Sequence, residues 1–476
     1  MRPTRQRWSA TVGLAIATLA MHSPSFAATD TGTAEFRSLY EELVETNTTL
    51  SSGNCTEAAE KMAARLRGAG LPQGDVKVVV SPEHPKEGSL VAVLRAPRKS
   101  NAKGVLLIAH IDVVEARRED WARDPFELIE EDGYFYARGA ADDKAMAAVW
   151  VETLMRLHRD EKFRPKRDIK IALTCGEETI EAYDGVQDLL AHHRELIDAD
   201  FALNEGGSGI LDEQGRRVLM HVQVGEKTPQ DFRLEVLNPG GHSARPVKDN
   251  AIYRLAAGLT RVSQHDFPIQ LNDSTRGYFE RMAVIKGGEA GAAMKALVAN
   301  PADAAAASIV AANPGWNATL RTTCVATMLD AGHATNALPQ RARANVNCRM
   351  FPGVTADEVR RTLDQVVADP AISVTALPTR SPVAAPPALT PAILRPIEKL
   401  MADFYPGVPL VPVQISGYTD GQFLNAAGIP TFGLGFFLDP DFGHIHGANE
   451  RIRVQSVYEG REFLYALVKR YAAEVR

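Results

Sequence analysis

The 476-residue sequence predicts an α/β protein with a mostly parallel sheet, interrupted by an inserted α+β domain. Three observations carry that expectation. Continuous apolar runs at 105–111, 169–174 and 199–203 are separated by helical patterns, which is how strands buried on both faces of a parallel sheet read. From about residue 228 the pattern becomes an alternation of polar and apolar residues, at 231–237, 322–329 and 343–350, as in a sheet with one wet face. After the Pro-rich stretch 378–391, a helical pattern at 393–404 and an apolar run at 429–436 restore the first style. The expected units are a first domain made of 28–227 and 381–476, and an inserted domain, 228–380.

Taken along the chain, the first element is a targeting segment. Arg2, Arg5 and Arg7 precede the apolar run 8–21, and Ser25-Phe26-Ala27 places small residues at a cleavage site. This predicts a secretory signal over 1–27 and a periplasmic or secreted protein. The run is too short to span a bilayer, and no later run reaches the roughly 18 apolar residues required, so no stable membrane anchor is expected. Beyond the run 105–111, Met146, Val149, Trp150, Thr153, Leu154 and Leu157 share one helical face. In the insert, Ile252, Leu255, Ala256, Leu259 and Val262 do the same, and the Ala-rich stretch 287–312 predicts a helical excursion with Met294, Leu297 and Val298 on one side.

Composition narrows the class. With 45% hydrophobic and 24% charged residues, fibrous and wholly disordered chains are excluded, and a formal charge of −6 argues against a nucleic-acid partner. Cys55, Cys175, Cys324 and Cys348 form no CxxC pair, so buried free thiols are the expectation, with a Cys175–Cys348 bridge or a similar pairing open if the chain is exported.

Ligands of open α/β sheets bind at the carboxyl ends of the strands. Here His110, Glu177-Glu178 and Glu205 fall at such ends, His444 and His446 follow the last run, and Asp142 sits in a Gly/Ala-rich turn before a helix. A single strand-end His or acid is ordinary. Several in one chain point to a site.

The motifs are His110-Ile111-Asp112, Asp124-Pro125-Phe126, RGAADDK at 138–144, Glu177-Glu178, GGHSARP at 240–246 and HGANE at 446–450. In this order they resemble the co-catalytic zinc peptidases of the aminoacylase, dipeptidase and glutamate-carboxypeptidase type. The carboxypeptidase S and N-acyl amino-acid hydrolase branch is nearest in style. The resemblance implies a zinc-peptidase catalytic domain with an inserted lid or dimerisation domain, and two Zn²⁺ per subunit, with Co²⁺ or Mn²⁺ as substitutes. His110 and Glu205 would hold one ion, Glu178 and His446 the other, and Asp142 would bridge them; imidazole and carboxylate donors suit zinc.

Asp142 also matches a family position that precedes a cis peptide. Asp112 would accept the second imidazole N–H of His110 and fix the ring, and Glu177 would be the general base. His242 would stabilise the oxyanion, often across a dimer interface. Arg349 would clamp a free carboxylate, and Asn336 would lie near the substrate. Thr419-Asp420-Gly421 resembles a loop beside the metals, and His444 is expected in a supporting role.

Two departures stand out. Gly176 replaces the Asp usual before the acidic pair, and the segment Asn204-Glu205-Gly206-Gly207 leaves either Asn204 or Glu205 as ligand, Glu205 being favoured. The expected activity is cleavage of a peptide or N-acyl amide bond next to a free carboxylate, by a homodimer through the insert. A dipeptidase of the same family, or a carboxylate-binding module that has lost its metals, are the alternatives.

Overall fold

The computed structural model describes residues 31–97, 102–179 and 182–474; the expected signal segment lies outside them. Ten strands form the large sheet. Its centre is parallel: Ile169–Thr174, Val105–His110, Phe201–Asn204 and Thr431–Gly433 lie side by side in that order. Antiparallel strands Val76–Ser81 and His84–Leu94 extend one edge, and Arg217–Glu226 with Gly209–Leu211 extends the other. Every residue of Val105–His110 is buried, as the continuous apolar run requires.

Helix Lys144–Arg159 covers one face with Met146, Val149, Trp150, Leu154 and Leu157, all buried. The last helix, Val454–Ala473, is tied to it by a buried ion pair between Arg461 and Glu152. The opposite face carries a smaller core around Leu106, Ile108, Leu189 and Phe423.

The second sheet has four antiparallel strands in the order Thr323–Ala331, Arg341–Met350, Thr228–Leu237, Ile372–Ala376. Strand Arg341–Met350 alternates in burial along its whole length, so the polar–apolar reading of this region translates directly into a one-sided core. Helices Ala251–Ser263 and Ala356–Val367 fill that side with Leu255, Val262, Val359 and Leu363. The second of these starts with a reciprocal capping box between Thr355 and Glu358.

The helical excursion behaves differently. Phe279, Met294, Leu297 and Val310 pack on Leu219 and Val411, which belong to the large-sheet strands Arg217–Glu226 and Leu410–Ile415. It therefore roofs the end of the large sheet, whose outermost apolar side chains would otherwise face water. Lys227, at the crossing between the sheets, fastens this roof: its Nζ donates to the carbonyls of Ala318 and Arg321 and to Thr323 Oγ1.

The cysteines are not free, and Cys175 does not pair with Cys348. The bridges are Cys55–Cys175 and Cys324–Cys348, and no free cysteine remains among the described residues. The reason is register: Cys324 and Cys348 stand directly opposite on neighbouring strands, with Cα atoms 4.1 Å apart.

Candidate functional site

The parallel strands Val105–His110, Ile169–Thr174 and Phe201–Asn204 end at one edge of the sheet, and the chain delivers a polar group at each exit. His110 closes the first strand and is 2% exposed. Its Nε2 lies 2.9 Å from Asp142 Oδ1 and 3.8 Å from Glu205 Oε1. His446 approaches the same aspartate from the other side, with Nε2 3.3 Å from Asp142 Oδ2 and 2.9 Å from Glu178 Oε1. Asp142 thus presents one oxygen to each imidazole.

Within this arrangement His110, Asp142 and Glu205 form one metal-capable triad, and Asp142, Glu178 and His446 another; in each, the donor atoms lie within 4.8 Å of one another. A third, overlapping group joins His110 to Glu177 and Glu178.

Each member is held by a specific device. The peptide between Asp142 and Asp143 is cis. The turn that carries Asp142 is organised by the Glu450 carboxylate, which accepts the N–H groups of Gly139, Ala141 and Asp142 at 3.0, 2.8 and 3.1 Å and pairs with Arg138 at 2.8 Å. Arg138 in turn donates to the carbonyls of His446 and Gly447. The HGANE segment takes positive φ at His446 (64°) and Asn449 (57°), conformations that cost non-glycine residues energy and persist where contacts over-determine them. Arg138 supplies such contacts.

Asp112 departs from expectation. His110 Nδ1 lies 3.0 Å from the Asp112 main-chain carbonyl and 3.7 Å from its carboxylate. That carboxylate instead accepts the N–H groups of Glu177 and Glu178, so Asp112 fixes the ring through its backbone and the acidic loop through its side chain. Gly176 also has a structural reason. It sits at φ +101°, and a Cβ there would lie 2.2 Å from the Tyr183 carbonyl oxygen, leaving no room for an Asp.

The choice between Asn204 and Glu205 is visible as direction. Asn204 is buried and donates to Thr419 Oγ1 at 3.0 Å, away from the imidazoles, while Glu205 faces His110. Behind Asn204, Thr419 donates to the buried Glu226 carboxylate through both its N–H and its hydroxyl, at 2.8 and 2.6 Å, and Gln223 adds a third donor at 2.6 Å. Burial pushes Glu226 up to about 7 against these contacts.

The electrostatics show an excess of negative charge. Burial lifts the carboxyl of Glu177 well above the usual range, opposed by His110 and reinforced by Glu205 and Glu178. Burial does the same to Glu205, reinforced by Asp142. Contacts with Asp142 and Glu178 push His446 up to about 10 despite partial burial. Burial opposes charge on His110, but Asp112, Asp142 and Glu205 outweigh it and raise this ring too. Four carboxylates converging on two imidazoles in a partly dry pocket make this a candidate cation site.

The insert holds its candidates elsewhere. His242 pairs with Ala337 in a two-residue ladder beside Asn336, and both His242 and Asn336 are exposed. The His242 ring accepts the Ala244 N–H, and His242 is in none of the metal-capable groups found among the described residues. Arg349 is half-buried on strand Arg341–Met350; burial lowers its pKa, opposed by Asp231. His444 lies 3.2 Å from Asp441, not from the cluster.

Glu450, Glu226 and Gln223 were not singled out in the sequence. Glu450 alone left a signal, as the last residue of HGANE.

Comparison with known proteins places this geometry. The model of Peptidase family M20/M25/M40 matches residues 106–470. The chain belongs to this family. It is 31% identical over 375 residues to the human N-fatty-acyl-amino acid synthase/hydrolase PM20D1, covering 76% of this chain and 73% of that protein. It is 25% identical over 377 residues to a probable carboxypeptidase S-like 2 of Dictyostelium discoideum, covering 77% and 71%. The M20 metallo-carboxypeptidase Sso-CP2 of Sulfolobus solfataricus shares the fold, with a TM-score of 0.67 at 19% identity over 92% of this chain and 99% of that one. So does the dinuclear metal-binding M20 peptidase YXEP of Bacillus subtilis, with a TM-score of 0.58 at 12% identity over 93% and 99%. The protein is a hydrolase of the metal-dependent M20 type, with N-acyl amino acid hydrolase and carboxypeptidase-like relatives.

Proposed function

We propose that the chain is an exported two-zinc amidohydrolase that cleaves a peptide or N-acyl amide bond adjacent to a free carboxylate, Co²⁺ or Mn²⁺ being able to replace zinc. The observation that carries this reading is Asp142, one oxygen toward His110 and the other toward His446, with Glu205 and Glu178 flanking the two rings. His110 and Glu205 would hold one ion, Glu178 and His446 the other, with Asp142 shared. Each imidazole then has two carboxylates without Glu177, which leaves Glu177 for proton transfer. Bound zinc supplies Lewis acidity to the scissile carbonyl and to the attacking water. Glu177 takes the proton from that water and passes it to the leaving nitrogen.

Arg349 binds the substrate carboxylate, a planar bidentate task suited to guanidinium. His242 and Asn336 complete the site from the insert, through domain closure or from a second copy. The outer strand Thr323–Ala331 favours a homodimer, since Val325, Met328 and Leu329 are 60%, 71% and 68% exposed on it. Two disulfides favour an oxidising compartment, consistent with the signal-like N-terminus. Among the described residues, no helix is long and apolar enough to cross a membrane. The relatives' names favour N-acyl amino acids among the substrates.

The test is metal analysis with a zinc-supplemented panel of N-acyl amino acids, dipeptides and C-terminally amidated controls. Two zinc ions per chain and chelator-sensitive cleavage of free-carboxylate substrates are expected. Less than one ion with no chelator-sensitive turnover would reject the enzyme reading, and a preference for dipeptides would move the protein to that branch.

A further inference from the structure

Three parallel strands lead to the acid–imidazole cluster, in the order Ile169–Thr174, Val105–His110, Phe201–Asn204. Glu205 directly follows the third, and Glu177 stands three residues after the first. These two exits flank the His110 strand and lie two strand spacings apart, roughly 10 Å. Their separation must stay fixed if Asp142 is to serve both imidazoles. Two consecutive residues of one loop tie the exits together: Asn204 Nδ2 donates to Thr419 Oγ1 at 3.0 Å, and the Thr174 hydroxyl donates to Asp420 Oδ2 at 2.7 Å.

The loop gives up local contacts to make this link. Asp420 is the N-cap of helix Gly421–Ala426, where an aspartate ordinarily accepts an N–H of its own first turn. Its side chain makes no such cap and turns to Thr174 instead. Its other oxygen, Oδ1, is buried with no hydrogen-bond partner, which costs stability, so what Asp420 holds explains its presence better than what it adds to folding. The loop is also fixed from behind. Thr419 donates its N–H and hydroxyl to the Glu226 carboxylate at 2.8 and 2.6 Å, and Gln422 Nε2 donates to Thr228 Oγ1 at 2.7 Å. Thr174, Asn204, Thr419 and Asp420 are each no more than 3% exposed, so water does not compete for these bonds.

We infer that Thr419 and Asp420 are positioning residues, a brace that holds the Glu205 exit against the Glu177-Glu178 exit and sets the spacing of the two metal positions. The inference rests on the two-metal reading above. Neither residue is in a metal-capable group among the described residues, so the brace acts through Asn204 and Thr174. With it in place, both halves of the cluster share Asp142; without it, the half that keeps Asp142 retains its ion and the other half loses a donor.

The experiment is removal of zinc from the loaded full chain by a graded chelator, with zinc per chain counted at each step. Thr419→Val and Thr174→Val each delete one hydroxyl of the brace, from opposite ends, so either carries the test if the other does not fold. Each is expected to release one of its two ions at a free zinc concentration at least tenfold higher than wild type does, and the other within threefold of wild type. Thr419→Ser and Thr174→Ser keep the hydroxyl and should hold both ions within threefold of wild type. Thr431→Val deletes a buried hydroxyl from the strand Thr431–Gly433, outside the brace, and should also behave as wild type. The brace is overturned if the Val variants hold both ions normally, if both ions weaken equally, if the Ser variants fail to restore binding, or if Thr431→Val has the same effect. A wild type that holds fewer than one ion rejects the two-metal reading, and the brace with it.

Discussion

In the large-sheet body, His110, Asp112 and Glu450 are each no more than 2% exposed, and each is fixed by hydrogen bonds to a neighbouring loop. In the insert, His242 and Asn336 stand exposed on a two-residue ladder, and Arg349 is half-buried on a strand. The difference divides the labour. The body holds charged groups at close range, which demands burial and a satisfied supporting shell, whereas the candidates of the insert are open to solvent.

Four substitutions test that division, in decreasing order of expected effect. Glu177→Gln should lower kcat about 10³-fold while metal content stays at the wild-type value, because proton transfer is lost and the donors remain. Steady-state kinetics with metal analysis checks it, and turnover within tenfold of wild type removes Glu177 as the base. Glu450→Ala should cost about 4 kcal/mol in denaturant unfolding and reduce metal content, since it leaves Arg138 buried without its partner and frees three N–H groups of the Asp142 turn. A loss below 1 kcal/mol would show that the turn holds itself.

Glu226→Gln tests the buried support by its pH dependence. With its folded pKa near 7, above the unfolded value near 4.5, the wild-type group binds more protons folded than unfolded in that window, so its contribution to stability is complete below pH 4.5 and is lost as pH rises to 7. Relative to wild type, the Gln variant should therefore gain on the order of 3 kcal/mol between pH 4.5 and 7. A flat difference in paired unfolding curves would contradict the buried, protonated carboxyl. Arg349→Ala should have the smallest effect, about 30-fold in kcat/KM for free-carboxylate substrates, near 2 kcal/mol, with stability and metal content unchanged. An equal loss on amidated substrates would break the assignment of the insert to carboxylate binding.

Particular residues show how far the sequence could be read. The run 105–111 was legible because a strand buried on both faces is continuously apolar, and the helix face of Met146, Trp150 and Leu154 because helix packing imposes a period. The Ala-rich excursion was legible as helix, but an amphipathic stripe does not say which surface covers it, and that surface proved to be the large sheet. Glu450 was visible only as a motif letter, because its partner Arg138 lies 312 residues away. The cysteine pairs were misread because pairing follows strand register and helix placement.

The sequence by itself determined the strand and helix types, the change of pattern near residue 228 and the set of imidazoles and carboxylates at the strand exits. Tertiary structure alone decided that Asp142 stands between His110 and His446, and that Glu205, not its neighbour, faces His110. Successive residues of a strand point to opposite sides, so this second choice depends on the phase of Phe201–Asn204, which its pairing of Asn204 with Gly433 sets. Sequence spacing contains the period of a strand, while its phase and neighbours come from contacts across the fold.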